Sequence, residues 1–353
     1  MIREGIKKLV DGVDLGHEES QSILREIMAG EATSAQIAAF LTALRMKGET
    51  VEELTAFAKV MRENCIRINP SVSGRLLDTC GTGGGKLKTF NVSTAAALVI
   101  AGAGVPVAKH GNRSVTSKSG SADVLERLGV NLTVSPMTVE KAIEQVGFGF
   151  MFAPIFHPAM MHAAAPRNEV GIRTVFNLLG PLTNPASATA QLLGVYDSGL
   201  TERLAYVLKE LGCEEAMVVH GLDGLDEVST LGKTVISHLN ADDVTKEEIV
   251  PGDFGIEEAR IESLRGATSE ENAETLFKIL NYTSVESDAK MDFVVVNAAA
   301  GMIVSGKAQT FPEGIEIARE SIRSGSAYEK LRALVKVTCG DPSKLERLEH
   351  KFA

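Results

Sequence analysis

The stretch Asp78-Thr79-Cys80-Gly81-Thr82-Gly83-Gly84-Gly85 places four glycines among the five residues after Cys80, directly behind a strand-like Leu76-Leu77. Glycines let a backbone approach a ligand closely, and consecutive N–H groups can close on an anion. Asn91-Val92-Ser93-Thr94 then opens a helix, where free N–H groups and the dipole favour a phosphate. The loop is neither GxGxxG nor GxxxxGK[ST], which removes the dinucleotide-fold and Walker A readings.

A second polar run, Lys109-His110-Gly111-Asn112-Arg113-Ser114, follows the strand candidate Val105 to Ala108. It continues through Ser117, Lys118 and Ser119 into Gly120-Ser121-Ala122-Asp123, another helix start. Open α/β sheets bind ligands at the carboxyl ends of their strands, and here two such ends repeat one design. A third run, His220-Gly221-Leu222-Asp223-Gly224-Leu225-Asp226-Glu227, follows Ala216 to Val219. Its adjacent carboxylates suit Mg²⁺, which takes one or two carboxylates together with substrate phosphate oxygens. Arg167 stands before the turn Asn177 to Pro185 and offers a planar fork that matches a carboxylate. Each signal has an ordinary alternative: a flexible turn, a solvated loop, a surface ion pair. Their order and spacing give them weight together.

These loops need a frame. Residues 1–72 read as helices: Ile6, Leu9, Val10 and Val13 form one apolar face, and Ile23, Leu24, Ile27 and Met28 another, ended by Gly30. Ser34 is the expected cap of a helix that buries Ile37, Phe40, Leu41 and Leu44 and closes at Gly48. Thr50-Val51-Glu52-Glu53 is a capping-box pattern. From residue 73 to 353, β runs (Leu76-Leu77, Val105–Ala108, Phe148–Phe152, Gln191–Val195, Ala216–Val219) alternate with helical ones (Ser93–Ala101, Ala122–Leu128, Val139–Val146, Leu200–Leu211). The expected class is α/β: a small all-helical domain, rejoined by residues 158–185, and a larger domain with a mainly parallel central sheet.

A chain of 353 residues with 44% hydrophobic residues can bury a sizeable core. Its net charge of −10 argues against nucleic-acid or membrane-surface binding, which demands a basic footprint. The four cysteines, Cys65, Cys80, Cys213 and Cys339, have no metal-ligand spacing and read as reduced thiols of a cytoplasmic protein. No apolar run reaches membrane-spanning length.

The whole chain resembles the anthranilate phosphoribosyltransferases. Lys109 to Asp123, Gly171 to Pro185 and Val219 to Ser229 match the family's motifs nearly residue for residue, and its Asn-Val-Ser-Thr is intact at Asn91 to Thr94. One position departs: where the family has Gly-Thr-Gly-Gly-Asp, this chain ends with Gly85.

The resemblance implies a fold of the nucleoside phosphorylase/phosphoribosyltransferase type, with the active site between its two domains and a homodimer formed through the helical one. It implies transfer of the phosphoribosyl group of phosphoribosyl pyrophosphate (PRPP) to the amine of anthranilate, with release of pyrophosphate, in tryptophan biosynthesis. PRPP would be bound by Gly81, Thr82, Gly83, Gly84, Thr89, Asn91, Ser93, Thr94, Lys109 and Ser121. Anthranilate would lie beside Gly81, His110, Asn112, His157, Arg167 and Pro181, and Mg²⁺ would be held by Ser93, Asp226 and Glu227. No general base is assigned; His110 is the nearest candidate. Two rivals remain: a nucleoside phosphorylase of the same fold, which would lack the Asn177–Pro185 turn and the Asp226-Glu227 pair, and a non-catalytic PRPP-binding module.

Overall fold

The computed structural model describes residues 1–114, 119–282 and 288–352. It opens on four helices. Helix α1 (Ile2–Val10) buries Ile2 and Leu9 but leaves Val10 and Val13 on the surface, contrary to the apolar face expected for them. At 3.6 residues per turn Val10 lies about 80° round the helix from Ile2, and the helix stops at Asp11 before Val13 can continue the stripe. Helix α2 (His17–Met28) runs out through Ala29 into Gly30, whose φ of 75° is the left-handed conformation expected of a terminating glycine. Helix α3 (Ser34–Lys47) is capped by Thr33, one residue before the expected Ser34. Thr33 is the last extended residue, and its reciprocal partner Gln36 stands three positions on, where Gln36 Oε1 accepts the Thr33 N–H at 2.8 Å. Helix α4 (Val51–Glu63) begins with the expected box, Thr50 and Glu53 bonding each other's backbone N–H.

Strand and helix then alternate: β1 (Leu77–Gly81), α5 (Val92–Gly102), β2 (Val107–Gly111), α6 (Ser121–Arg127), α7 (Pro136–Val146) and β3 (Phe148–Phe152). Next comes a helical excursion, α8 (Ala153–Phe156), α9 (Met161–Val170) and α10 (Val175–Leu182). It packs on α2, α3 and α4, and Ala163, Phe176, Leu178 and Leu179 share one core with Ile23, Phe40 and Phe57. The chain returns as β4 (Ala190–Gly194), α11 (Leu200–Glu210) and β5 (Glu215–Gly221). Arg62 ties the parts together, donating from α4 to the carbonyls of Leu182 (2.9 Å) and Leu211 (3.1 Å) at the ends of α10 and α11.

The seven-stranded sheet runs β3-β2-β1-β4-β5-β6-β7. Strands β1 to β5 are mutually parallel, as expected. The last two, β6 (Thr234–Asn240) and β7 (Asp243–Ile249), form an antiparallel hairpin that the sequence reading did not assign. Strand β7 carries Lys246, Glu247 and Glu248 along a largely exposed edge, which hides its apolar periodicity and discourages edge-to-edge pairing. After α12 (Ile261–Leu264) and α13 (Ser269–Leu280), α14 (Ala289–Val304) is buried on all sides beneath the sheet, with α15 (Phe311–Arg323), α16 (Ser326–Val337) and α17 (Ser343–Phe352) outside it.

Candidate active site

Sequence order reverses across the sheet between β1 and β4, and that point is the crevice where an open α/β sheet receives a ligand. The glycine loop lies there. Gly83 and Gly84 both adopt left-handed conformations, with φ of 64° and 85°. Three bonds hold the loop: the Thr82 N–H donates to Gly194 O (2.9 Å), the Lys86 N–H to Gly224 O (3.0 Å), and Arg173 Nη2 to Gly84 O (2.6 Å). Close approach explains the remaining glycines. A Cβ on Gly81 or Gly85 would come within 3.1 or 2.6 Å of the Asp226 carboxylate, and one on Gly194 would fall 1.6 Å from the Asp226 carbonyl oxygen.

Behind the loop is a buried ionic floor. Lys109 donates to the Thr79 carbonyl, to Thr79 Oγ1 (3.4 Å) and to Ser93 Oγ (3.3 Å). Asp78 is wholly buried and accepts the His110 N–H at 3.3 Å. Burial pushes the Lys109 ammonium down and the Asp78 carboxyl up, and each charge partly restores the other. The start of α5 is clasped from two sides: Asn91 Oδ1 accepts from Ser119 Oγ and from Asn272 Nδ2, both at 3.2 Å. Thr94 Oγ1 is buried without a hydrogen-bond partner among the described residues, and Thr89 bridges to Arg265. Ser121 Oγ donates to Asn112 O (3.4 Å), while Asn112 Oδ1 accepts the Arg113 N–H (2.7 Å). Ser117 and Lys118 lie outside the described residues.

Asp226 and Glu227 stand after β5, against the glycine loop. Burial raises both carboxyl groups above their ordinary range, Glu227 further because Asp226 and Asp223 add repulsion, while Lys88 opposes the shift. Glu227 Oε2 is buried with no hydrogen-bond partner among the described residues. Two crowded carboxylates, one with an unsatisfied oxygen, fit a divalent cation, whose charge relieves both burdens. Among the described residues no group of three or more His, Cys, Asp or Glu side chains could hold a metal by itself. Ser93, expected alongside these two, is bonded to Lys109.

The other wall comes from the helical excursion. His110 and His157 lie with ring centroids 4.9 Å apart. His110 Nδ1 meets Gly180 O at 3.2 Å; a carbonyl only accepts, so Nδ1 carries the proton and Nε2 the lone pair. Nε2 of both rings is buried without a partner among the described residues. Burial, and for His110 also its neighbour His157, depresses the two imidazoles to about 3 and about 4, so both are neutral near pH 7. Pro181 O accepts from Gln191 Nε2 at 2.7 Å. Arg167 is half-buried on α9, its side chain has no hydrogen bond or ion pair among the described residues, and desolvation alone lowers its guanidinium. The fold thus gathers Gly81 with Asp226, Lys109 with Ser93, and His110 with His157 and Gly180; no bond joins Arg167 to any of them.

Several neighbours escaped the sequence reading: Asp78, Gln191, Gly194, Asn272, Lys88, Arg173 and Tyr196. Asp78 was quoted only as part of the glycine stretch. Gly194 carried a signal, a glycine ending an apolar run, and Arg173 lies inside the Gly171–Pro185 stretch; nothing local points to their partners or to that of Asn272, which for Arg173 and Asn272 are 89 and 181 residues away.

A helical bundle beside a largely parallel sheet, with a glycine loop and a carboxylate pair at the switch point, is the two-part build of the glycosyl transferase family. Residues 73–328 match the glycosyl transferase family a/b domain, and residues 3–65 its helical bundle domain. The anthranilate phosphoribosyltransferase of Acetivibrio thermocellus is 51% identical over 338 residues, 96% of this chain and 97% of the relative. The crystal structure of the Thermus thermophilus anthranilate phosphoribosyltransferase aligns with a TM-score of 0.89 at 42% identity, covering 95% of this chain and 99% of that one. The Saccharomyces cerevisiae enzyme in complex with PRPP and Mg aligns with a TM-score of 0.89 at 31% identity, covering 96% and 98%. The chain belongs to the anthranilate phosphoribosyltransferase family.

Proposed function

We propose that this protein transfers the phosphoribosyl group of PRPP to the amine of anthranilate, giving N-(5-phosphoribosyl)anthranilate and pyrophosphate, a step of tryptophan biosynthesis. The observation that carries the reading is the juxtaposition at the β1/β4 switch point: a left-handed Gly83-Gly84 loop lying against two buried, crowded carboxylates. Gly81, Thr82, Gly83 and Gly84, with Thr89, Asn91, Ser93, Thr94, Lys109 and Ser121, are the candidates to bind PRPP. Asp226 and Glu227 would hold Mg²⁺, with Ser93 able to assist. Bound there, Mg²⁺ supplies charge neutralisation to the departing pyrophosphate.

Gly81, His110, Asn112, His157, Arg167 and Pro181 would receive anthranilate. Arg167, a half-buried cation with no anion of its own among the described residues, suits the substrate carboxylate. The aromatic amine is unprotonated near neutral pH and attacks C1′ with its own lone pair. The N–C1′ bond forms as the bond from C1′ to pyrophosphate breaks, and the nitrogen then sheds a proton. His110 Nε2, an unpartnered lone pair on a neutral ring, is the candidate to accept it. Catalysis on this reading is positioning and electrostatics.

A homodimer through the helical face fits the exposed Val10 and Met46, 71% and 83% accessible. A cytoplasmic setting fits four free cysteines and the lack, among the described residues, of any helix long and apolar enough to cross a membrane. The test of function is direct: anthranilate fluorescence disappears on mixing with PRPP and Mg²⁺, with one pyrophosphate released per anthranilate consumed. Fluorescence that persists with no pyrophosphate released would overturn the reading.

A further inference from the structure

Arg173 lies between α9 and α10 and takes part in neither the carboxylate turn nor the histidine pair. Its guanidinium makes two contacts. Nη2 donates to the carbonyl of Gly84 at 2.6 Å, and the planar group stacks on the Tyr196 ring, 4.4 Å from its centroid. Among the described residues no carboxylate pairs with it. A Cβ on Gly84 would crowd the guanidinium at 3.0 Å, and the residue's φ of 85° is one that side chains rarely adopt, so glycine suits the contact on both counts.

The bond matters because of what a peptide plane imposes. The peptides of the described residues are all trans, so turning the Gly84 carbonyl toward Arg173 turns the Gly85 N–H the opposite way. Gly83 and Gly84 have the freest backbones in the loop, and an unrestrained peptide there could rotate its negative carbonyl toward an incoming phosphate. Tyr196 in turn follows β4, whose Gly194 carbonyl takes the Thr82 N–H, and it feels the charges of Arg45 and Glu49 from the end of the helical bundle, with Asp197 beside it. Arg203 donates to the Glu49 carbonyl at 3.0 Å and fixes that neighbour.

We infer that Arg173, stacked on Tyr196, is a positioning residue that holds the Gly83-Gly84-Gly85 peptides in the orientation that receives the phosphates of PRPP. The inference rests on the function proposed above. It assigns Arg173 to the PRPP side, although it is only six residues along the chain from Arg167.

Steady-state kinetics on Arg173→Gln, Arg173→Lys, Tyr196→Leu and Tyr196→Phe test it, with thermal midpoints measured alongside. Arg173→Gln raises the PRPP KM about tenfold, the scale of one charge-assisted hydrogen bond, and leaves the anthranilate KM within about twofold. Arg173→Lys recovers part of the loss by restoring a donor without the stacking plane. Tyr196→Leu moves the PRPP KM in the same direction by a smaller factor, and Tyr196→Phe, which keeps the ring, leaves it unchanged. Both KM values rising together with a lowered thermal midpoint would make Arg173 a general structural tie, and an unchanged PRPP KM would remove it from the site; either overturns the inference. Wild-type turnover in the same assay reports on the function separately: an inactive wild type refutes the function, whereas an active one with wild-type-like Arg173→Gln refutes only the positioning role.

Discussion

The two walls of the cleft are built on opposite plans. On the sheet side the groups that hold the loop and the helix start already have partners: Thr82 with Gly194, Lys109 with Thr79 and Ser93, Asn91 with Ser119 and Asn272. On the helical side the notable groups have none among the described residues, namely Nε2 of His110 and of His157, and the guanidinium of Arg167. A wall for a highly charged ligand needs its dipoles fixed beforehand, since reorientation during binding would consume the gain. A wall for a small aromatic amine acid works with a few groups left open. Thr94 Oγ1 and Asp78 Oδ2 lack partners on the sheet side too, among the described residues, but the exception that concentrates charge is the carboxylate pair, whose unsatisfied Glu227 oxygen suits a cation.

Removing the exception has the largest expected effect. Asp226→Asn with Glu227→Gln abolishes turnover at millimolar Mg²⁺ while circular dichroism and the thermal midpoint stay near wild type, because the leaving group departs unneutralised. Retention of most of the wild-type rate would take the pair out of the metal site.

On the open wall, Arg167→Ala raises the anthranilate KM by roughly ten- to a hundredfold, the equivalent of about 1.5–3 kcal/mol for one charge-assisted bond. The PRPP KM should move little; if it moves more than the anthranilate KM, the two walls are not separate in the way described.

The histidine pair gives a pH signature. Folded values near 3 and 4 lie below the value of about 6.5 for an unfolded histidine. Groups depressed by folding favour the fold while both states are neutral, and this advantage falls away as pH drops below about 6.5 toward those lower values. The thermal midpoint therefore declines on acidification through that window, and declines less in a His110→Gln, His157→Gln variant. The anthranilate KM stays flat from about pH 8 to pH 6; an inflection near 6.5 would mean that one ring titrates freely.

The smallest effect is expected at Gly85. Its Cβ position is 2.6 Å from Asp226 Oδ1, so Gly85→Asp must displace the Asp226 side chain as well as add a carboxylate. Inhibition of a few-fold by excess Mg²⁺ should appear in the variant and be absent from wild type. Superimposable rate-against-Mg²⁺ curves would show the position to be neutral.

The sheet wall was the more legible in sequence, because its parts are local. A glycine loop, a helix start and an acidic pair each declare themselves within ten residues of a strand, and Phe148 to Phe152 was read with its final bounds. What stayed hidden is long-range. Nothing near Asn272 announces that it reaches Asn91, and nothing near Arg173 announces Gly84. The hairpin β6–β7 escaped because a charged edge strand suppresses the apolar alternation that marks a strand. The cap of α3 was misplaced by one residue because Thr33 and Ser34 are both good caps, and only the Gln36 side chain decides between them.

The core shared by α1 to α4 with α9 and α10 also sets an order of events during synthesis. When the first seventy or so residues have left the ribosome, Phe40 and Phe57 still lack Phe176, Leu178 and Leu179, which lie more than a hundred residues downstream. The N-terminal helices must wait, partly uncovered, while three strands of another layer are made. Nascent chains stalled with residue 75 emerged should be cleaved readily by protease within α1 to α4, and those stalled with residue 190 emerged should resist. Helices α1 to α4, translated before the sheet, are thus sealed only after part of it has been made.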